Sequence, residues 1–171
     1  LSNDLTSVQK QDGLSSMHGG RATMFSVMPI SSEDILFFGD AEVKTAEWWE
    51  LLGNNNIKNR GTGWNASGDI ATTSKEVDAT FASTGVTKSC PKAILLYTGT
   101  ADFTGSTDIA TVQSNYKALV DKVKSKASGA KIYVMSLHGR YNNASLNTGR
   151  MTTLNNWLRD ELAGNAGYEN V

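Results

Sequence analysis

Four carboxylates occur in segments predicted to lie near the ends of strands: Asp40, Glu42, Asp69 and Asp102. Carboxylates that are brought together in this way can bind a metal ion or perform acid–base catalysis. Carboxylates are also common in exposed loops, where an aspartate often supports the turn through hydrogen bonds to the backbone. We therefore favour a structural role for these four residues, and we predict neither a metal nor another cofactor.

Two histidines could supply a general base, because imidazole titrates near neutral pH. His138 follows a predicted strand and lies on the side of the sheet where ligands are expected, so it could line a cleft. No serine partner for it is identifiable, and we interpret it as a loop residue. His18 belongs to the N-terminal arm, and a catalytic role for it is disfavoured.

Four predicted strands alternate with helical segments along the chain. Each is followed by a loop that carries glycine or polar residues: Ile35–Phe38, Ile57–Asn59, Lys92–Thr98 and Lys131–Ser136. Continuous apolar runs of this length are typical of buried parallel strands. The alternation predicts a doubly wound parallel sheet with helices on both faces, which is a three-layer α/β/α fold. Ligands bind beyond the carboxyl ends of the strands in such sheets, so any site is expected in the four loops.

The predicted helices have apolar residues three or four positions apart: Thr45–Leu52, Ile70–Ala82, Ile109–Lys126 and Thr152–Ala163. Residues 1–30 are predicted to form an arm or short helix packed on the domain, because glycines at 13, 19 and 20 interrupt any long helix. Residues 31–171 are predicted to form the domain itself. Residues 168–171 resemble the start of a further strand that is not completed, so we expect an exposed sheet edge that either further sequence or a partner chain covers.

Composition places the chain among ordinary globular proteins. It has 171 residues, of which 39% are hydrophobic and 19% charged, with a formal net charge of -1. This length favours one domain, and the lack of a basic excess argues against nucleic acid as a partner. No apolar run is long enough to span a bilayer. The lone Cys90 excludes an intrachain disulfide and leaves the compartment undecided, with an extracellular or periplasmic location favoured.

Several of these segments together resemble the conserved blocks of the SGNH/GDSL hydrolases, a family of esterases and acylhydrolases. The first block is similar to Ile35–Ala41 (ILFFGDA), the second to Asn59–Gly63 (NRGTG) and the third to Leu95–Asp102 (LLYTGTAD). The matches extend from about Ile35 to Val171 in the family's order. The resemblance implies a flavodoxin-like sheet of the SGNH-hydrolase type, with its final strand apparently cut off.

The resemblance also implies a catalytic machinery from which parts are missing. The family's nucleophilic serine follows Gly-Asp, and in this chain that position is Ala41, followed by Glu42. The family's oxyanion hole uses a glycine of the second block, matched by Gly63, and an asparagine of the third, replaced by Ala101. The sequence ends at Val171, before the Asp-X-X-His block that supplies the general base could occur.

Three readings fit these losses: a natural pseudoenzyme, an active esterase whose serine has been changed to alanine, and a truncated active protein. One designed substitution would not also alter Glu42, Ala101 and Trp64, so we favour the pseudoenzyme. Its vestigial pocket is predicted to comprise Asp40, Ala41, Glu42, Gly63, Trp64, Ala101, Asp102 and His138. The predicted role is to bind a glycan or acylated sugar, with Trp64 as a stacking face, or to contact a neighbouring domain of a larger secreted protein.

Overall fold

The centre of the protein is a four-stranded parallel sheet. The computed structural model describes residues 16–62, 68–103, 107–138, 149–163 and Tyr168, without the side chains of 16–19 and 103. The strands are β1 (Ile35–Gly39), β2 (Ile57–Asn59), β3 (Ala93–Tyr97) and β4 (Lys131–Val134). Their spatial order is β2-β1-β3-β4, with Ile35 opposite both Ile57 and Ala93. This order confirms the predicted doubly wound sheet.

The strands are connected by helices of very different lengths. The described helices are α1 (Ser16–Val27), α2 (Ala41–Thr45), α3 (Trp48–Leu51), α4 (Asp69–Thr80), α5 (Ile109–Lys126) and α6 (Gly149–Trp157). A 3-10 turn covers Ala101–Phe103, and α6 continues into a π-helical turn, Leu158–Leu162. None of the helices in the described ranges is long and apolar enough to cross a membrane.

One face of the sheet is covered by the longer helices. Five strand residues on this face are at most 2% exposed: Leu36, Phe38, Ile94, Leu96 and Ile132. The apolar stripe of α5, which includes Tyr116, Leu119 and Val123, is buried as well. The four-residue spacing of this stripe and the alternation of side chains along each strand place both sets in one core.

The opposite face is only partly covered by the short helices α2 and α3. Trp48 packs on it, with its ring centroid 5.4 Å from that of Phe37. Further along this face a cavity of about 490 Å³ is bordered by Ile35, Leu95 and Tyr133. Tyr133 is 54% exposed and Met135 43%. The two faces of the sheet therefore differ strongly in how much of their apolar surface is packed.

The prediction of a single helix over Thr45–Leu52 is wrong, because the chain forms α2 and α3 with a break at Ala46 and Glu47. The Asn59 side-chain amide donates to the carbonyl oxygens of Val43 at 2.7 Å and Ala46 at 3.1 Å. The Trp48 indole N–H also donates to Val43 O, at 2.8 Å. These side chains satisfy the carbonyls at the end of α2, and the helix can stop there.

The expectation that glycines interrupt the N-terminal arm is wrong within the described residues, because α1 runs through Gly19 and Gly20. Each glycine disfavours a helix by about 1 kcal/mol, but burial of Ala22 and Phe25 as α1 packs on α4 outweighs this cost. Tyr168 is buried outside any strand. The division of the chain at residue 30 stays a prediction.

Candidate functional site

The loops that follow β1, β2 and β3 meet at one end of the sheet, because parallel strands direct all their carboxyl ends to the same edge. The first of these turns depends on Gly39, which has no room for a side chain. A Cβ atom at Gly39 would lie 1.9 Å from the Tyr97 carbonyl oxygen. The Asp40 backbone N–H can therefore approach the same carbonyl oxygen, at 3.2 Å. This contact fixes the β1 loop against β3.

Ala41 is the first residue of α2, and Asp40 is its N-cap. The Asp40 carboxylate accepts a hydrogen bond from the Glu42 backbone N–H at 3.1 Å. An N-cap aspartate stabilises a helix start by satisfying a free N–H and by favourable interaction with the helix dipole. The side chain at position 41 therefore stands at the head of a helix, but it is a methyl group, which cannot attack a substrate.

Three carboxylates and one hydroxyl from three loops form what we name the acidic cluster: Asp40, Asp69, Asp102 and Thr100. The Thr100 hydroxyl lies 2.7 Å from Asp40 Oδ2 and 2.9 Å from Asp69 Oδ2. A hydroxyl has a single hydrogen, so Thr100 can donate to only one of the two carboxyl groups. The second carboxyl group must be protonated, so that it can donate to the Thr100 oxygen. Burial, with the nearby charge of Asp40, raises the pKa of Asp69. The arrangement is satisfied when the Asp40–Asp69 pair holds one proton.

The backbone donors around this cluster already have acceptors. Ala101 N–H donates to Asp69 Oδ2 at 2.6 Å. At the start of α4, the N–H groups of Asp69 and Ile70 both donate to Asp102 Oδ2, at 2.9 and 3.1 Å. Burial raises the pKa of Asp102 to about 6 even though these N–H groups favour its charged form. An incoming oxyanion would have to compete with carboxylates for these donors.

Gly68 lies directly before α4, in a position that only glycine fills without strain. Its φ is 87°, and a Cβ atom there would lie 2.6 Å from Asp102 Oδ1. This geometry brings the β2–α4 connection against the β3 loop. Sequence reasoning assigned importance to Gly63 in this connection and missed Gly68. The available signal was a Gly-Asp pair immediately before a predicted helix.

Glu76 is a buried acid that sequence reasoning also missed. It is fully buried in α4, and the Thr62 hydroxyl donates a hydrogen bond to Oε1. Burial raises the pKa of Glu76 well above its ordinary value, and the charge of Arg21 only partly opposes this shift. A glutamate in the middle of a helix is normally solvated, so the sequence carried no signal for its burial.

Glu42 and His138 border a mostly apolar cavity. The cavity has a volume of about 370 Å³, and its lining includes Phe37, Trp48 and Tyr97. The exposed His138 ring stacks on Tyr97 with the centroids 5.5 Å apart. Burial raises the pKa of Tyr97 to about 12. The cavity could accept an apolar group of a ligand.

The structure thus brings Asp40, Asp102 and the Ala101 backbone into one cluster with Asp69, and Ala41 is adjacent in the chain. Gly63 and Trp64 lie outside the described residues, and so does the His18 side chain. In the described ranges, no three histidine, cysteine or acidic side chains are placed to hold a metal ion. Whether the residues of the vestigial pocket form a binding site stays a prediction.

The fold defines a class of protein, the three-layer α/β/α domains with a doubly wound parallel sheet. Among solved structures, the chain is similar to a candidate platelet activating factor from Streptococcus pneumonia. The TM-score is 0.68 at 18% sequence identity, and the alignment covers 98% of this chain and 75% of that chain. At this identity the likeness establishes the fold. No protein-family model matches the sequence, and no curated protein matches it.

Proposed function

We propose that this is a non-catalytic domain of the SGNH/GDSL esterase type, serving as a carbohydrate-binding or interaction module. The observation that carries the proposal is Ala41 at the head of α2. In the family that the sequence resembles, this position holds the nucleophilic serine, which attacks an ester once a base removes its proton. A methyl group can neither attack nor be activated.

The hydrogen bonding of the neighbouring loops supports the same proposal. An oxyanion hole requires N–H donors that are free to meet negative charge as it develops. Here the Ala101 N–H is taken by Asp69, and the first N–H groups of α4 are taken by Asp102. Position 101 also lacks the amide side chain of the family pattern. The local charge is negative, which disfavours a tetrahedral oxyanion.

An ester-hydrolysis assay tests the loss of catalysis. We expect the chain to hydrolyse p-nitrophenyl acetate and acetylated sugars at the buffer rate. The Ala41→Ser variant should remain at that rate, because carboxylates still occupy the N–H donors of Ala101 and of the start of α4. Turnover by the unaltered chain that a single loop substitution abolishes would overturn the proposal.

A second candidate is a carboxylic-ester hydrolase represented by a serine-to-alanine or truncated form. It is favoured by the placement of Ala41 directly after Gly39-Asp40 and by the cavity that His138 borders. The same assay decides it, since Ala41→Ser alone would then restore hydrolysis. His138→Gln in that background should abolish the activity if His138 is the base.

The binding role has its own test, which does not depend on the assay of hydrolysis. A glycan array followed by thermal unfolding with the best sugars separates the two forms of the proposal. A reproducible stabilising sugar supports a carbohydrate-binding module, whereas a flat response favours an interaction module between domains. Trp64→Ala should weaken sugar binding if that indole is the stacking face.

A further inference from the structure

A cavity of about 530 Å³ lies beside β2, between α1 and α3. Three cations line it, and we name it the cationic cavity: Arg21, Lys58 and Arg60. Trp49, Asn55 and Asn59 complete its polar and aromatic lining, and no described carboxylate borders it. It shares no lining residue with the apolar cavity beside His138. A positively charged cavity is unexpected in a chain whose formal net charge is -1.

Arg60 is a buried cation. Its residue is 4% exposed, and in the described part of the chain its guanidinium forms no ion pair. Nε makes no hydrogen bond, and Nη1 makes only a long one of 3.4 Å to the Asn59 carbonyl oxygen. Arginine is rarely buried unless it is paired, because removing its charge from water is costly. An unpaired buried guanidinium is therefore a site that an anion would stabilise.

The neighbours of Arg60 include an acid, Asp34, and a second cation, Arg21, whose electrostatic effect on Arg60 is the smaller of the two. The guanidinium carbons of Arg21 and Arg60 lie 5.3 and 5.2 Å from the centroid of the same Phe25 ring. Burial, together with the charge of Arg21, lowers the pKa of Arg60 to about 10, against the attraction of Asp34. Burial lowers the pKa of Lys88, and the nearby charge of Arg60 lowers it further.

One acid of this region, Asp34, lies within ion-pair distance of a cation of the cavity. Asp34 accepts a hydrogen bond from Ser31 N–H at 2.9 Å and lies 3.9 Å from Lys58 Nζ. Glu76 accepts from Thr62, and burial favours its neutral form by raising its pKa. Glu47 acts on Arg21 only through its charge, with no ion pair between them. Within the described residues, Asp34 therefore offsets only part of the positive charge of the cavity.

We propose that the cationic cavity binds a small molecule that carries a carboxylate or phosphate. The oxyanion pairs with Arg21, Lys58 and Arg60, since charge-assisted bonds to guanidinium groups are the strong ones in proteins. The body of the ligand lies against the half-buried Trp49 ring. Such a site is distinct from the acidic cluster, and it exists whether or not the domain hydrolyses esters.

Binding is tested on the whole chain with two probes, inorganic phosphate and benzoate, against sodium chloride at equal ionic strength. Thermal unfolding and the NMR signal of the Trp49 indole N–H are followed, with the signal assigned through Trp49→Phe. We expect saturable stabilisation and a saturable shift of that signal with at least one probe, and neither with chloride. Phosphate alone acting indicates a phosphorylated ligand, and benzoate alone a carboxylate.

Variants of the cations locate the site. Arg21→Gln/Lys58→Gln should weaken binding by about tenfold or more, because two charge-assisted contacts are lost. Arg60→Met should abolish binding and unfold at an equal or higher temperature without anion, because a buried unpaired charge is replaced by an apolar chain. Lys126→Gln, which removes one cation from α5, is the matched control and should bind like the unaltered chain.

Two outcomes would overturn the proposal. One is that neither probe exceeds the effect of chloride in the folded, unaltered chain. The other is that binding persists unchanged in the Arg21→Gln/Lys58→Gln variant, which retains Arg60. If Arg60→Met fails to fold, the double variant alone decides whether the cations bind the probe.

Discussion

The acidic cluster and the cationic cavity handle buried charge in opposite ways. In the acidic cluster, hydroxyl and backbone donors from neighbouring loops satisfy the carboxylates of Asp40, Asp69 and Asp102. In the cationic cavity, Arg60 is buried beside Arg21 without an ion pair in the described part of the chain. The carboxylates of the acidic cluster have partners without a ligand, whereas the Arg60 guanidinium has no ion pair within the described residues.

The difference indicates where binding free energy is available. A ligand gains little from polar groups that already bond to one another, because those bonds must be broken first. An unpaired buried cation, in contrast, is stabilised directly when an anion arrives, and the folded state is stabilised with it. The acidic cluster is thus expected to govern stability, and the cationic cavity to govern binding.

The largest predicted effect is on the stability of the acidic cluster. Thr100→Ala removes the hydroxyl between two carboxylates and should lower the free energy of unfolding by about 2–4 kcal/mol. Thr98→Ala is the matched control, because the Thr98 hydroxyl is equally buried but pairs with the neutral Thr73 hydroxyl at 2.8 Å. Its loss should be about 1 kcal/mol. Urea unfolding measures both, and equal losses would mean that the carboxylates do not depend on Thr100.

A smaller effect concerns the pH dependence of stability. The folded state raises the pKa of Asp69 chiefly through burial. A raised carboxyl pKa contributes stability that is complete below the ordinary carboxyl value and is lost as the pH rises through the folded value. Asp69→Asn removes this titration. It should flatten the decline in the urea midpoint as the pH rises above about 4.

Asp102 titrates in the same range, since its pKa is raised to about 6, first by burial and in part by the charge of Asp69. Asp69→Asn should therefore reduce the contributions of both Asp69 and Asp102 to the pH dependence of stability. Asp102→Asn should leave the contribution of Asp69 in place. Superimposable pH profiles of the unaltered chain and Asp69→Asn would show that Asp40 and Asp69 share no proton.

The fold could be predicted because its signals are local. The continuous apolar runs of β1 and β3 and the α5 stripe identify buried elements without knowledge of their neighbours. The predicted bounds of β2 agree with Ile57–Asn59. The break between α2 and α3 could not be seen, because it depends on the Asn59 side chain, which follows α3 in the sequence.

The candidate site was harder to predict from the sequence than the fold, because its contacts join residues that are far apart in the chain. The carboxylates Asp40, Asp69 and Asp102 could be expected near one another from their positions at strand and helix ends. Thr100, the shared partner of Asp40 and Asp69, could not be predicted, because its contacts span 60 and 31 positions along the chain. Arg60 stood in the segment that resembles a family block, but nothing in its neighbours predicted a buried, unpaired guanidinium.

The smallest predicted effect tests whether Lys58 of the cationic cavity contributes to the free energy of unfolding. Lys58 Nζ lies 3.9 Å from Asp34, and its side chain is 37% exposed. Lys58→Gln should therefore change the free energy of unfolding by less than about 0.5 kcal/mol. Lys122→Gln, which breaks the exposed pair with Asp78 at 2.5 Å, is a control of the same kind and should behave alike. A loss above about 1.5 kcal/mol in Lys58→Gln alone, measured by urea unfolding, would give this lysine a structural role. The contrast between a region that stabilises the fold and a region that binds would then fail.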